Sequence, residues 1–154
     1  MKKTINGFTI VELLIVVIVI AILAAISIVA YNGVQSRARD AERQNDMSAI
    51  KKALELYYVD NSSYPTSNQI VSGSFRSSSL QASAENFVSP GGSGISYCWS
   101  ANVNQYCYVG RAAGQSPDCT GAAGTAQTCS SYSLSYMLTG DTSYRSIRSD
   151  TWPN

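Results

Sequence analysis

The chain has 154 residues, with 11 Lys and Arg against 10 Asp and Glu and no histidine. That length holds about one domain and excludes a multi-domain enzyme. A charged fraction of 14%, against a usual level of about 25%, does not fit a nucleic-acid-binding or acidic disordered protein. Without histidine the commonest general base and the commonest metal ligand are missing, so no catalytic residue, metal or cofactor is expected.

Lys2 and Lys3 precede an apolar run from Phe8 to Tyr31. Leu13 to Ile26 consists only of Leu, Ile, Val and Ala. About 20 apolar residues cross a bilayer at 1.5 Å each, so the run predicts a single-pass membrane helix. A buried core helix fits less well, because so small a domain has no core to surround it. A cleavable secretory signal also fits poorly, since its apolar stretch is about 7 to 15 residues and this one continues into helix-forming sequence.

Glu12 stands alone inside the run. An acidic side chain there costs at least about 2.5 to 3.5 kcal/mol, which marks a functional site and calls for a cation. No Lys or Arg lies between Thr4 and Ser36, so the cation is expected from another chain, a lipid or a newly made N-terminus.

The stretch Gly7-Phe8-Thr9-Ile10-Val11-Glu12-Leu13-Leu14-Ile15-Val16 closely resembles the class III signal and N-terminal methylation motif of type IV pilins and pseudopilins. The resemblance implies cleavage between Gly7 and Phe8 by a prepilin peptidase and N-methylation of the new terminal Phe8. It also implies an assembly contact in which Glu12 pairs with the N-terminal amine of a neighbouring subunit. The implied partners are other pilin subunits in a homo-oligomeric filament, the peptidase and methyltransferase, an inner-membrane pilus assembly platform, and membrane lipid before assembly. The precursor is then expected in the bacterial cytoplasmic membrane and the assembled subunit at the cell surface. Many members carry proline and glycine in the first helix, where it can melt in the filament; Ala21 to Ala30 contains neither.

Met47, Ile50, Leu54, Tyr57 and Tyr58 recur at helical spacing, opposite Asp46, Lys51, Lys52 and Glu55, and predict an amphipathic helix with a solvated charged face. Pro65 disfavours helix at Tyr64, so the helix should end around Val59 to Asn61. Residues 61–94 read as irregular, with a short helix from Ser79 to Val88 and a glycine-rich connector from Ser89 to Gly94.

Alternation over Ile95 to Ala101 and Tyr106 to Gly110 predicts two strands paired as an antiparallel hairpin about Asn102-Val103. That register sets Cys98 opposite Cys107 and clusters Tyr97, Trp99, Tyr106 and Tyr108 on the other face. Further strands are predicted from Tyr132 to Leu138 and around Tyr144 to Ile147. The cysteine spacing resembles no zinc site, and disulfides are the better reading. Of three possible connectivities, Cys98 with Cys107 and Cys119 with Cys129 close the shortest loops, in an oxidising compartment. Asp118, Asp141 and Asp150 show no EF-hand spacing for calcium. Arg76, Arg111, Arg145 and Arg148 make DNA a secondary partner at most, because Asp141 and Asp150 are interspersed among them.

The expected fold class is α+β and pilin-like: a long N-terminal helix whose outer half packs on a small antiparallel sheet. Its expected divisions are a leader at 1–7, a membrane and filament-core helix at 8–31, an amphipathic helix at 32–60, a loop region at 61–94 and a disulfide-closed sheet at 95–154. The expected function is a structural subunit of a type IV pilus. The alternatives are a pseudopilin or minor pilin of a type II secretion or DNA-uptake system and, in another class, a single-pass membrane-anchored receptor or enzyme domain.

Overall fold

A computed structural model of the chain describes residues 7–113, 118–121 and 128–149. The elements are α1 (Ile10–Asn61), α2 (Ser67–Val71), α3 (Gly73–Ser79), a 3₁₀ turn (Ala84–Phe87), β1 (Ser96–Tyr97), β2 (Cys107–Ala112), β3 (Cys129–Tyr136) and β4 (Arg145–Arg148). The chain divides into two compact units, Met1–Ala38 and Arg39–Asn154.

In the first unit the described Leu, Ile and Val side chains of α1, at 10–28 and at Val34, are exposed, from Ile10 at 89% to Val34 at 66%. The segment is long and apolar enough to cross a membrane. Its serines do not leave hydroxyls unbonded: Ser27 donates to the Leu23 carbonyl and Ser36 to that of Gly33, the usual way a helix absorbs them.

In the second unit, called the head below, Met47, Ile50, Ala53 and Leu54 of α1 enter a core with Ile70, Leu80, Phe87, Ile95, Tyr106, Tyr108, Tyr132 and Leu134. The helix ends at Asn61, within the expected range, and Ser62 follows with φ 54°. The Ser62 N–H closes the last turn on the Tyr58 carbonyl at 2.8 Å, a left-handed helix end made without the usual glycine.

The four strands form one sheet in the order β1-β2-β3-β4. β2, β3 and β4 are antiparallel, with Tyr108 beside Leu134 and Leu134 beside Ile147. The expected hairpin does not form. β1 instead lies parallel to β2, Ser96 beside Cys107 and Tyr97 beside Tyr108, so the sheet is mixed. Asn102-Val103 is not a favoured tight turn, and the Val103 carbonyl is taken by hydrogen bonds from Arg43 and Ser89. The segment from Cys98 to Tyr106 therefore closes as a loop. As a result Tyr106 and Tyr108 are fully buried, while Tyr97 and Trp99 stay 39% and 48% exposed; the four rings do not share a face.

Two further expectations are corrected. Residues 61–94 are not simply irregular, because Thr66 and Gln69 form a reciprocal capping box that starts α2, and α3 follows at once. That Thr-x-x-Gln signal was present in the sequence. The helix expected from Ser79 to Val88 shrinks to the single 3₁₀ turn. The connector from Ser89 to Gly94 stays a loop and contributes one necessary glycine: a Cβ on Gly92 would overlap the Asn104 backbone.

Candidate functional site

The first site is the start of α1. Thr9 caps the helix, its carbonyl accepting from the Leu13 N–H at 3.3 Å. Its hydroxyl accepts from the Glu12 N–H at 3.2 Å. Glu12 reaches back, and its Oε2 accepts from the Thr9 N–H at 2.8 Å and from the Thr9 hydroxyl at 2.7 Å. This is a capping box in which the glutamate sits three residues after the cap. The charge of Glu12 calls for a cation from another chain, a lipid or a newly made N-terminus; the box adds a neutral partner, Thr9, which the Thr-x-x-Glu spacing encodes. Both bonds fall on Oε2, and among the described residues Oε1 accepts none. Gly7 and Phe8 precede the box, and Phe8 is 81% exposed. A Cβ on Gly7 would meet nothing within 4 Å, so packing within the chain does not require glycine there. Lys2 and Lys3 lie outside the described residues.

The second set lies in the head, where charges expected on a solvated face turn inward. Asp46 is buried, and its carboxylate accepts from the Tyr106 hydroxyl at 2.8 Å and from Asn86 Nδ2 at 2.9 Å. Burial and that carboxylate push the Tyr106 phenol far up, so it remains a donor. Glu55 accepts from the hydroxyls of Tyr64 at 2.9 Å and Tyr132 at 3.0 Å. Tyr132 of β3, Tyr106 just before β2 and Tyr64 just after α1 thus place their hydroxyls on the helix's carboxylates, which satisfies the buried polar ends.

Arg43 is 3% exposed. Its guanidinium donates to Asp40 Oδ1 at 2.7 Å, the Val103 carbonyl at 3.1 Å, the Pro90 carbonyl at 3.3 Å, Thr139 Oγ1 at 3.3 Å and Ser89 Oγ at 3.4 Å. One side chain thereby fastens three loops to α1. Asp40 also accepts from the Thr139 N–H and hydroxyl at 2.9 and 3.0 Å. Partial burial raises its carboxyl, but the bonds from Thr139 and Arg43 outweigh that and hold it below the usual range. Arg43 falls at i, i+4 and i+7 with Met47 and Ile50, so helical spacing by itself puts it on the inward stripe; apart from Asp40, the partners of Arg43 and Asp46 lie 40 or more residues away in sequence.

The four cysteines form Cys98–Cys107, with Cα atoms 5.0 Å apart, and Cys119–Cys129, 5.8 Å apart. The second lies against β2 at Gly110, where a Cβ would stand 3.3 Å from Cys129 Sγ. Asp118 and Asp141 are engaged within the head, by Tyr97 and Arg145 respectively; Asp150 lies outside the described residues. Arg76 donates to the carbonyls of Ile70 and Val71, and Arg145 to Asp141 at 2.9 Å. Arg148 lies on β4. Among the described residues no group of three metal-ligating side chains occurs.

An apolar helix opening on a threonine-capped glutamate, with a small sheet packed on the helix's second half, is the architecture of pilin-like subunits. Comparison with known proteins agrees. The prokaryotic N-terminal methylation motif matches residues 2–28, and the family of type II secretion system protein G matches residues 30–114. The chain belongs to that family, within the wider group of pilins and pseudopilins, whose members are structural subunits and not enzymes.

Among curated relatives, type II secretion system core protein G of Escherichia coli is 31% identical over 86 residues, 56% of this chain and 59% of the relative. Its counterpart in Vibrio cholerae is 36% identical over 64 residues, 42% and 44% of the two chains. The type IV wide pilus major component PilA4 of Thermus thermophilus is 38% identical over 104 residues, 68% and 71%. The chain spans between 48% and 61% of the length of the secretion-system relatives from E. coli, Aeromonas hydrophila and Klebsiella pneumoniae. No solved structure matches it significantly.

Proposed function

We propose that the chain is a filament subunit of the type IV pilus kind, held in the cytoplasmic membrane as a precursor, cleaved after Gly7, methylated at Phe8 and assembled through its N-terminal helix. The observation that carries this reading is the apolar half of α1, whose described large side chains, from Ile10 to Ile28 and at Tyr31 and Val34, are roughly half exposed or more, as is Phe8 before it. Each such side chain gains about 1.5 to 3 kcal/mol on full burial, so the segment calls for lipid first and for other helices afterwards. Cleavage creates an amine at Phe8 that methylation leaves charged. Glu12 keeps Oε1 open and one carboxylate charge to offer a neighbour's amine.

The test is Glu12→Gln, which keeps shape and helix propensity nearly unchanged. The variant should insert and be cleaved normally, with a mature mass beginning at methylated Phe8, yet yield few or no filaments. Normal filament numbers at comparable subunit levels would refute the assembly contact. A mature chain that retains Lys2 and Lys3, or starts beyond Tyr31, would refute the subunit reading itself and favour an ordinary membrane anchor.

A second reading, a pseudopilin of a type II secretion system, is favoured by the protein G family match over residues 30–114. Deleting the gene separates the two. Loss of surface fibres with intact protein export supports the pilus reading, and loss of export without loss of surface fibres supports the pseudopilin.

A further inference from the structure

From Asn86 to Gly140 the only charged residues are Arg111 and Asp118, and both converge on one spot beside the Cys98–Cys107 loop. The Arg111 guanidinium carbon lies 5.2 Å from the centre of the Trp99 ring. Arg111 Nε stands 3.9 Å from Asp118 Oδ1, and the Tyr97 hydroxyl donates to Asp118 Oδ2 at 2.5 Å. Trp99 and Tyr97 nonetheless remain 48% and 39% exposed. Trp99 lies in the loop closed by the Cys98–Cys107 disulfide and held at Val103 by Arg43 and Ser89, and Tyr97 directly precedes that loop at the end of β1.

We propose that Tyr97, Trp99, Arg111 and Asp118 form a binding platform on the head for neutral saccharides. The chemistry fits from three sides. A guanidinium backing one face of the indole leaves the rest of the ring for the apolar C–H face of a pyranose, as a large aromatic surface favours. The planar Arg111 guanidinium and Asp118 carboxylate, side by side with 27% and 14% of their side chains exposed, supply the donor and acceptor types that vicinal hydroxyls require. The pair carries no net charge, which suits a neutral ring over a phosphate or a sialic acid. A ring serving only to brace the loop would gain by being buried; here the bracing groups hold it in place with its surface open, an arrangement organised before any ligand arrives. The inference does not depend on filament assembly.

The experiment uses the full chain in nanodiscs of zwitterionic lipid, free of sugar detergents, with Trp152→Phe so that indole emission reports Trp99 alone. The probes are maltotriose, cellotriose and chitotriose. At least one should give a saturable emission change. Trp99→Ala, followed by saturation-transfer NMR of that sugar, should weaken binding by about tenfold, the equivalent of one good aromatic contact. Arg111→Lys keeps the charge but loses the planar fork and should weaken it at least severalfold; it decides the matter if Trp99→Ala disturbs the disulfide in peptide mapping. The proposal fails if no probe saturates, if the deciding variant binds as the parent does, or if oligo-dT in place of sugar gives the Trp99-dependent signal, which would identify a nucleic-acid stacking surface.

Discussion

Replacing Arg43 by Met keeps most of the apolar stem and removes the guanidinium. Of its five acceptors, the Val103 carbonyl retains a bond from Ser89 at 2.9 Å, and Asp40 retains both bonds from Thr139. The Pro90 carbonyl loses its bond from Arg43. Breaking a buried ion pair from one side costs about 3 to 5 kcal/mol. Asp40 is 21% exposed and keeps other partners, so the lower end, about 3 kcal/mol, applies here. At roughly 4 to 8 °C per kcal/mol for a domain near 100 residues, the melting temperature of the head should fall by about 12 °C or more. The assay is thermal and urea unfolding of the full chain in micelles, followed by near-UV circular dichroism of the tyrosines. Arg39→Met, at an exposed helix position, is the control and should change stability by less than about 0.5 kcal/mol. A loss below about 1 kcal/mol for Arg43→Met would show that the three loops are held by packing and that the guanidinium is incidental.

The Asp40 carboxyl is held below its usual range, so its docking of Thr139 contributes stability above the unfolded-state value near pH 4 and loses it as pH falls through the lower folded value. Asp40→Asn should flatten this acid limb of the stability profile, and an unchanged limb would assign it to other carboxylates. Thr9→Val removes the hydroxyl of the capping box and should fray the first turn of α1 by about 1 kcal/mol, while Thr9→Ser should be nearly neutral; amide exchange at Val11 and Glu12 measures the difference. Cys98 is only half-buried, whereas Cys119 and Cys129 are fully buried, so mild dithiothreitol with differential alkylation should open Cys98–Cys107 first. Earlier labelling of Cys119 and Cys129 would contradict the burial argument.

What the sequence determined by itself was whatever depends on local, one-dimensional order. The apolar run and the glycine, phenylalanine and glutamate spacing defined the N-terminal segment and the family, since length in lipid and a linear recognition motif need no tertiary information. The 3.6-residue stripe of Met47, Ile50 and Leu54 placed a helix face correctly, and the alternation of Tyr132 and Leu134 placed a strand, although β3 runs from Cys129 to Tyr136 and stops short of the expected Leu138. The capping boxes at Thr9 and Thr66 were equally local, and were legible although not read. The rest was decided only when distant segments met. Asp46 sits where helical periodicity assigns a wet face, and Arg43 is a charge set on the apolar stripe itself; Tyr106 and Asn86 donate to the one, Ser89 and Thr139 accept from the other, which offsets their desolvation, and no short sequence window contains those partners. The same holds for β1. Alternation can say that Ile95 to Tyr97 is extended, but whether it lies parallel or antiparallel to β2 depends on where the intervening loop is held, and Arg43 holds it at Val103, sixty residues away.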